Sequence, residues 1–406
     1  MTHAAEATAD GLALPELRLK PHEDRRLSAG HLWVFSNEVD TDRTPLSGFE
    51  PGATCRVVGD RDRFLGYAYV NPHALICARI LGRDARYPPG RSLIVHRLQV
   101  ALALRERLYP EPYYRLVYGE SDGLPGLVVD RYGDLLVAQV ATAGMEAIRE
   151  SVVEALDKVL APKAVVWKND SGARELEGLP SYVDTALGEA PPYTTVTEND
   201  VRFRVPIGGG QKTGWFYDQA ANRRAFLRHV RGARVLDVFS YLGAWGLAAA
   251  RAGATDVTCV DSSAPALELL EGSATDNGLA VRTLKADAFD ALAELRAAGE
   301  RYDVIVVDPP AFVKRRRDLP KGQAAYRKLN QLAMQLLPRD GLLVSCSCSH
   351  HLPQEELMGA LQQAARHLGR FAQIIEVGGQ APDHPIHPAI PETRYLKALT
   401  CRSVLD

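Results

Sequence analysis

Two cysteines near the end of the chain carry the most distinctive chemistry in the sequence. Cys346 and Cys348 lie in the run CSCSHH at 346–351, directly after the apolar segment 341–345. A thiolate is a strong nucleophile, and strand alternation would place Cys346, Cys348 and His350 on one face. Thiolate attack on C6 of a cytosine would make C5 nucleophilic enough to take a methyl group from a sulfonium.

Other interpretations of this segment stay open. The thiols could be structural and buried, or could belong to a cysteine/histidine metal cluster, although the usual two-residue gap between cysteines is missing. We predict no metal. The upstream motif Asp308-Pro309-Pro310, when followed by an aromatic residue, is typical of enzymes that methylate amino nitrogens without a thiol. Here Ala311 separates Pro310 from Phe312, so nitrogen methylation is the alternative enzyme class.

Acidic residues lie at or near the ends of four apolar strands in the second half of the chain. The strands are predicted at 234–239, 257–261, 281–285 and 302–307, and the acids are Asp237, Asp261, Asp287 and Asp308. A lone acid at a strand end is usually a helix N-cap, but four in register favour an adenosyl-cofactor site. We predict that Asp261 accepts from a ribose diol and that Asp287 meets the adenine amino group. Asp308 could also hydrogen-bond N3 of a cytosine ring.

The turn after the first of these strands reads SYLGAWG at 240–246. Gly243 and Gly246 permit close approach of the backbone to a ligand, but the three-glycine dinucleotide fingerprint is absent, which argues against NAD. The turn therefore predicts binding of S-adenosylmethionine. The predicted donor contacts here are Asp237, Phe239, Ser240, Tyr241 and Gly243.

Positive charge is concentrated in two segments, although the formal net charge of the chain is −2. Seven basic residues and one acid lie between Lys314 and Lys328, and five arginines and no acid lie between Arg223 and Arg234. A charge run is often only a solvated face. Because the first segment follows Asp308-Pro309-Pro310, we predict instead that it binds RNA phosphates. The predicted contacts in it are Lys314, Arg315, Arg316, Arg317 and Arg327.

The rest of the chain indicates several domains around this α/β region. A length of 406 residues exceeds what one hydrophobic core usually serves. Short β-rich runs at 17–83 predict a small β domain after a disordered tail at 1–14. Helices at 93–108 and 146–160 and a strand at 163–167 predict a central α+β domain. Beyond 191, strands alternate with helices, as in a doubly wound, mostly parallel sheet.

Composition also restricts the cellular setting. Six scattered cysteines suit reduced thiols better than a disulfide framework. No uncharged apolar run of about 18 residues occurs, and the N-terminus lacks the features of a signal peptide. We therefore expect a cytoplasmic protein that does not bind a membrane.

Motifs along nearly the whole chain resemble the RlmI-like group, bacterial methyltransferases that make 5-methylcytosine in large-subunit ribosomal RNA. They are HLWVFS at 31–36, GESDGLPG at 119–126, DRYG at 130–133, KTG at 212–214, DQ at 218–219, NR at 222–223, FSY at 239–241, DPP at 308–310, SCS at 347–349, DHP at 383–385 and YLK at 395–397. The resemblance implies a PUA-like domain at 15–90, a central α+β domain at 91–190 and a class I, Rossmann-like methyltransferase domain at 191–406. It also implies a homodimer. The PUA-like domain and the basic segments also fit an RNA-binding or assembly protein whose donor site is vestigial, and this is the alternative outside the enzyme class.

The resemblance assigns roles to individual residues. The family nucleophile falls on Cys348, while Cys346 is an extra thiol that leaves open which cysteine attacks. Donor-contacting positions fall on Phe239, Ser240, Asp261, Asp287 and Asp308. The segment from Lys212 to Arg223 is expected to cover the donor pocket, with Phe216 and Asp218 as donor contacts and Lys212 and Arg223 as RNA contacts.

Overall fold

A computed structural model describes residues 14–210 and 213–405 of the chain. These residues form two compact units. We call them the N-terminal unit (up to Pro192, with Ile207–Gly214 and Asp383–Thr393) and the C-terminal unit (Tyr193–Pro206, Trp215–Pro382 and Arg394 onward). The predicted RNA contact Lys212 and nearly all of the predicted N-terminal tail lie outside the described residues.

The first sheet of the N-terminal unit has five short strands. Their order is β1-β3-β4-β5-β2, with a short helix α1 after β1. The elements are β1 (Glu16–Arg18), α1 (Arg25–Ser28), β2 (Trp33–Phe35), β3 (Thr54–Val58), β4 (Phe64–Val70) and β5 (Ile76–Gly82). Alternating apolar residues of these strands bury one small core, which includes Leu17, Val34 and Ala68.

The second sheet of the N-terminal unit also has five strands, in the order β10-β9-β8-β7-β6. Its elements are α2 (Arg91–Leu108), β6 (Tyr113–Tyr118), β7 (Leu127–Tyr132), β8 (Leu135–Val140), α3 (Ala143–Ala147), α4 (Arg149–Leu160), β9 (Ala164–Asn169) and β10 (Tyr182–Gly188). Leu98 on α2 and Leu156 on α4 are fully buried in the core that covers this sheet.

The C-terminal unit contains a two-stranded sheet and a seven-stranded sheet with helices. Its elements are β11 (Tyr193–Glu198), β12 (Val201–Pro206), α5 (Ala220–Phe226), β13 (Arg234–Val238), α6 (Gly246–Arg251), β14 (Asp256–Asp261), α7 (Ala264–Asp276), β15 (Arg282–Lys285), α8 (Ala288–Ala297), β16 (Val304–Val307), α9 (Leu319–Gln335), β17 (Asp340–Ser347), α10 (Gln354–His367), β18 (Arg370–Gly378) and β19 (Lys397–Leu405).

The large sheet has the order β15-β14-β13-β16-β17-β19-β18. The first five strands are parallel, while β19 runs antiparallel to both β17 and β18. The order reverses beside β13, so β13 and β16 separate at their carboxyl ends into the crevice where such sheets bind ligands. The predicted doubly wound α/β fold is confirmed, as are the β-rich first sheet and the mixed α/β second sheet.

Local details differ from the sequence prediction. The helix predicted at 146–160 is two helices, α3 and α4, with a break at Ile148. Asp130 of the DRYG motif lies within strand β7, and its buried carboxylate pairs with Arg115 at 2.8 Å. The fifth parallel strand, β17, extends through Cys346 to Ser347, two residues beyond the predicted end, because β19 pairs with it along its whole length.

Candidate active site

The turn after β13 is held in an unusual backbone conformation. Phe239 and Tyr241 have φ values of 67° and 49°, which side chains other than glycine rarely adopt. The Ser240 amide donates to Val260 O at 2.9 Å, and the Tyr241 amide donates to Asp261 Oδ2 at 2.8 Å. The neighbouring strand β14 therefore stabilises the strained turn. Strained backbone of this kind is common at ligand sites.

Gly243 and Gly246 of this turn allow neighbouring side chains of the same unit to pack closely against the backbone. Gly243 has φ 76°, and a Cβ there would lie 2.7 Å from Cγ of Leu270 on α7. A Cβ at Gly246 would collide with Sγ of Cys259. The close approach that the structure shows at these glycines is toward α7 and β14, whereas the predicted approach to a ligand, and donor contact by Gly243, stay predictions.

Two polar atoms at the base of the turn are buried without a partner in the described structure. Asp237 Oδ2 accepts from the Gly246 amide at 2.9 Å, but Asp237 Oδ1 and Ser240 Oγ have no hydrogen bond. Burial raises the pKa of Asp237 to about 7. An orphaned buried carboxylate oxygen is costly, and an adenosyl donor with a cationic methionine end would supply the missing partner.

Asp261 and Asp287 occupy the next two strand ends. The Asp261 carboxylate accepts from the Tyr241 amide and, at 2.9 Å, from the Ser263 amide, so its orientation is fixed by two backbone donors. Asp287 is exposed and caps helix α8 by accepting from the Phe289 amide at 2.8 Å. Each oxygen of Asp261 retains accepting capacity for a ribose hydroxyl.

Asp308, after β16, lies among polar side chains from two other segments. Gln219 Nε2 donates to Asp308 Oδ1 at 3.0 Å, and Trp245 Nε1 donates to Asp308 Oδ2 at 3.2 Å. Burial, reinforced by the charge of Asp218, raises the pKa of Asp308 to about 6. This carboxyl can therefore hold or share a proton near neutral pH.

Cys348 differs from every other cysteine, all of which lie in the described residues. It is partly exposed, whereas the other five are buried. Its Sγ lies 3.9 Å from Pro309 O, so the thiol is close to the Asp308-Pro309-Pro310 segment. Burial raises the pKa of Cys346 well above its usual value, and the nearby Asp308 charge adds to this effect.

The serines on both sides of Cys348 anchor its backbone. Ser347 Oγ donates to Tyr326 Oη at 2.8 Å, and Ser349 Oγ lies 2.9 Å from the same oxygen. The Val313 amide donates to Ser349 Oγ at 3.1 Å. Tyr326 is fully buried on α9. The SCS motif thus places two serine side chains in the core, while the thiol between them is partly exposed at the crevice.

Lys397, at the start of β19, is a buried cation beside this thiol. Its Nζ donates to Ser349 O at 2.5 Å and to Tyr395 O at 2.7 Å, and its charge interacts with Cys348. Burial lowers the pKa of Lys397 to about 8. In the sequence this lysine is only part of the YLK motif, and nothing in its spacing indicates that antiparallel pairing brings it next to Cys348.

The segment before α5 contacts the turn after β13 and Tyr395, and donor contact by Phe216 and Asp218 stays a prediction. Phe216 packs edge-on against Tyr241 with ring centroids 5.6 Å apart, and buried Asp218 hydrogen-bonds the Tyr395 hydroxyl. The prediction that Arg223 contacts RNA is wrong, since this side chain is 1% exposed. Its guanidinium pairs with both carboxylate oxygens of Glu198, at 2.5 and 2.6 Å.

The basic segment 314–328 begins close to Cys348. Val313, the residue before the segment, donates its amide to Ser349 Oγ, and Ser349 is the residue after Cys348. The predicted RNA contacts of the segment, Lys314, Arg315, Arg316, Arg317 and Arg327, are all exposed. Only a 4.0 Å pair between Arg317 and Asp318 neutralises any of these charges in the described structure. The segment therefore presents positive charge to solvent next to the candidate site.

Comparison with known families agrees with this arrangement. Residues 17–83 match a PUA-like domain, and residues 180–402 match an S-adenosylmethionine-dependent methyltransferase. A curated relative from Photobacterium profundum, ribosomal RNA large subunit methyltransferase I, is 37% identical over 93% of this chain and 96% of its own length. The chain belongs to the ribosomal RNA large subunit methyltransferase I family.

A relative of the same name from Shewanella amazonensis is 38% identical over 95% of this chain and 98% of its own. Among solved structures, a protein from Streptococcus mutans assigned as a SAM-dependent methyltransferase matches with a TM-score of 0.80 at 20% identity, over 96% of this chain and all of that one. A second solved structure, of a protein assigned as a methyltransferase and complexed with SAH, matches with a TM-score of 0.82 at 21% identity, with the same coverage. Both structures support the fold.

The described residues contain no helix long and apolar enough to cross a bilayer. Among them, no group of three or more histidines, cysteines or acids is arranged to hold a metal ion. The family match, independently of these absences, supports S-adenosylmethionine as the cofactor.

Proposed function

We propose that this S-adenosylmethionine-dependent methyltransferase forms 5-methylcytosine in large-subunit ribosomal RNA, with Cys348 as the nucleophile. The observation that carries the proposal is the partly exposed thiol of Cys348 at the same strand ends as Asp308. The names of the curated relatives supply the substrate class. Carbon methylation of cytosine requires such a thiol, whereas nitrogen methylation does not.

The donor would lie across the strand ends of β13, β14 and β16. Asp261 would accept from the ribose hydroxyls, Asp287 would meet the adenine, and the unpartnered oxygens of Asp237 and Ser240 suit the cationic methionine end. When bound, the donor supplies a methyl group on a positively charged sulfur. The acids of the site favour that charge electrostatically.

Cys348 would add to C6 of the target cytosine as a thiolate. The C6–S bond makes C5 enamine-like, C5 then takes the methyl group, and loss of the C5 proton with elimination of the thiolate releases the product. The ammonium group of Lys397 favours the thiolate form of Cys348 because opposite charges attract strongly in a partly buried site. Lys397 is a positioning residue here, since it acts through Cys348.

Asp308 would hydrogen-bond N3 of the same cytosine. A carboxyl whose pKa is raised to about 6 retains a protonated fraction near neutral pH, so it can donate to N3 while the adduct forms. Gln219 and Trp245 orient this carboxyl through the hydrogen bonds given above. Their effect on Asp308 was not evident from the sequence.

Two observations favour Cys348 and carbon methylation over the alternatives. Cys346 is fully buried and its thiol strongly favours the neutral form, so it is a poor nucleophile. Phe312, the displaced aromatic of the nitrogen-methylation motif, packs against Tyr326 with ring centroids 4.9 Å apart. This contact holds part of the Phe312 ring against Tyr326 of α9, so the ring is less available for stacking on a target base.

The exposed basic segment 314–328 would bind the RNA backbone around the target base, because its charges are largely unpaired and adjoin the thiol. A homodimer and a cytoplasmic location remain predictions from the sequence and its resemblance.

Nucleoside analysis tests the proposed activity directly. Large-subunit RNA from a strain lacking this gene, incubated with the purified protein and methyl-labelled S-adenosylmethionine, should yield labelled 5-methylcytidine by mass spectrometry. A labelled N-methylated nucleoside would refute the carbon-methylation mechanism. Absence of both donor binding and a methylated product, with RNA binding retained, would support the alternative of an RNA-binding assembly protein whose donor site is vestigial.

A further inference from the structure

We propose that the N-terminal unit contains a second, non-catalytic site that binds one unstacked guanine base of the RNA. The site is a cavity of about 250 Å³ between the two sheets of that unit. It is lined by Trp33, Arg79, Tyr118, Glu120, Thr142 and Glu392, among others. Two sequence motifs that the catalytic site does not use, HLWVFS and GESDGLPG, meet in this cavity.

The aromatic residues of this base pocket are fixed in place by their polar ends. Trp33 Nε1 donates to Glu120 Oε1 at 2.8 Å, and the Tyr118 hydroxyl donates to Thr393 O at 3.0 Å. Both side chains are partly exposed. Rings held in this way bind a flat ligand at low cost in conformational entropy, and aromatic faces are the usual platform for unstacked RNA bases.

Glu120 provides the specific polar group of the base pocket. Its Oε1 accepts from Trp33, while its Oε2 has no hydrogen-bond partner among the residues that the structure describes. Arg79 lies 3.7 Å from Oε1 and pairs more closely with Glu177, at 2.8 Å. The carboxylate is therefore held rigidly, with Oε2 and the second lone pair of Oε1 available for two donors on the ligand.

The occupant must be small, flat and a hydrogen-bond donor. The cavity is smaller than the range of about 300–1,000 Å³ typical of sites for drug-sized ligands, so it suits a single base. Guanine is the RNA base that presents two adjacent N–H groups, N1–H and N2–H, on its Watson–Crick edge. A carboxylate accepts from both groups, whereas adenine and cytosine place an acceptor beside their amino group.

The inference rests on the proposed function in one respect, namely that the ligand of this protein is RNA. The match of residues 17–83 to a PUA-like domain places Trp33 and Arg79 in that domain. A base held here would orient the RNA at a position other than the methylated cytosine. The site would then contribute to selection of the substrate RNA rather than to chemistry.

Oligonucleotide binding tests the proposal. The probes are two fluorescein-labelled oligouridines of about 15 nucleotides, one with a central guanosine and one with a central adenosine, measured by anisotropy at a single salt concentration. Wild-type protein should bind the guanosine probe roughly tenfold more tightly, as expected for one bidentate base contact. Glu120→Gln keeps an acceptor for Trp33 but presents an amide donor to the ligand, so it should abolish that preference.

The preference is a ratio within each variant, so partial unfolding lowers both affinities and does not imitate the expected result. Trp33→Ala should weaken binding of both probes because a stacking surface is lost. Glu154→Gln and Tyr87→Ala alter an exposed acid and an exposed aromatic outside the base pocket, and should leave the preference intact.

Equal wild-type affinities for the two probes, or a preference that survives in Glu120→Gln, would overturn the guanine site while leaving the methylation proposal intact. Failure of both probes to bind would overturn the guanine site and also count against RNA as the ligand.

Discussion

The raised pKa of Asp237 predicts that donor affinity increases with pH. Its carboxyl has a pKa of about 7 in the donor-free protein, so roughly one tenth is ionised at pH 6 and nine tenths at pH 8. If the cationic end of S-adenosylmethionine pairs with the ionised form, affinity should rise about tenfold between these pH values. Binding near pH 7 should release a proton.

Isothermal titration calorimetry in buffers of different ionisation enthalpy measures both effects. Asp237→Asn preserves shape and removes the charge, so its affinity should be lower and independent of pH. Asp308 also has a raised pKa, of about 6, and it is unchanged in this variant. Any pH dependence of affinity that remains in Asp237→Asn can therefore be attributed to Asp308. Wild-type affinity that is flat from pH 6 to 8, with no proton release, would refute the placement of the donor's charge at Asp237.

The same carboxyl should affect stability without donor. Because its folded-state pKa lies above the unfolded value of 3.8, the folded state binds the proton more tightly, and stability falls as the pH rises from about 4 to 7. The shift converts to roughly 4 kcal/mol at about 1.4 kcal/mol per pKa unit. Asp237→Asn should therefore become more stable relative to wild type over this pH window in denaturant titrations.

Three further perturbations test separate parts of the site. Asp261→Ala should weaken donor binding by about 1.5–3 kcal/mol in calorimetry, since a charge-assisted acceptor is lost. Unchanged affinity would exclude Asp261 from the donor site. Changing Arg315, Arg316 and Arg317 together to glutamine should reduce the log-log salt slope of RNA binding by roughly one per lost phosphate contact, with donor affinity unaltered; an unaltered slope would assign the segment to a solvated face. Lys397→Met should raise the pH midpoint of Cys348 alkylation by iodoacetamide by about one unit, while Lys397→Arg should not. Equal midpoints in Lys397→Met and wild type would show that the lysine charge does not act on the thiol.

Much of the fold was predictable because it depends on local patterns. The alternation of apolar strands with helices predicts the parallel part of the large sheet, and β13, β14, β15 and β16 lie within two residues of their predicted bounds. The pairing of β19 with β17 was not predictable, because antiparallel pairing between strands about 50 residues apart leaves no local signal. This pairing extends β17 and brings Lys397 to the site.

The site was predictable where strand ends define it and unpredictable where burial does. Asp237, Asp261 and Asp308 lie at or next to the ends of strands that meet at the same crevice, so the sequence alone indicates their neighbourhood. Arg223 shows the opposite case, since a positive charge in a basic run is enclosed by Glu198 and Trp215. The difference between Cys346 and Cys348 likewise depends on where β17 ends relative to the core.

Trapping with 5-fluorocytosine tests the proposed mechanism most directly. Wild-type protein, S-adenosylmethionine and RNA carrying 5-fluorocytosine should form a complex that survives a denaturing gel, because fluorine cannot leave C5 as a proton does. Cys348→Ala should bind donor normally, form no complex and show no methyl transfer, whereas Cys346→Ala should form the complex and retain most activity. Normal turnover by Cys348→Ala, or trapping that requires Cys346 instead, would contradict the assignment of Cys348 as the nucleophile.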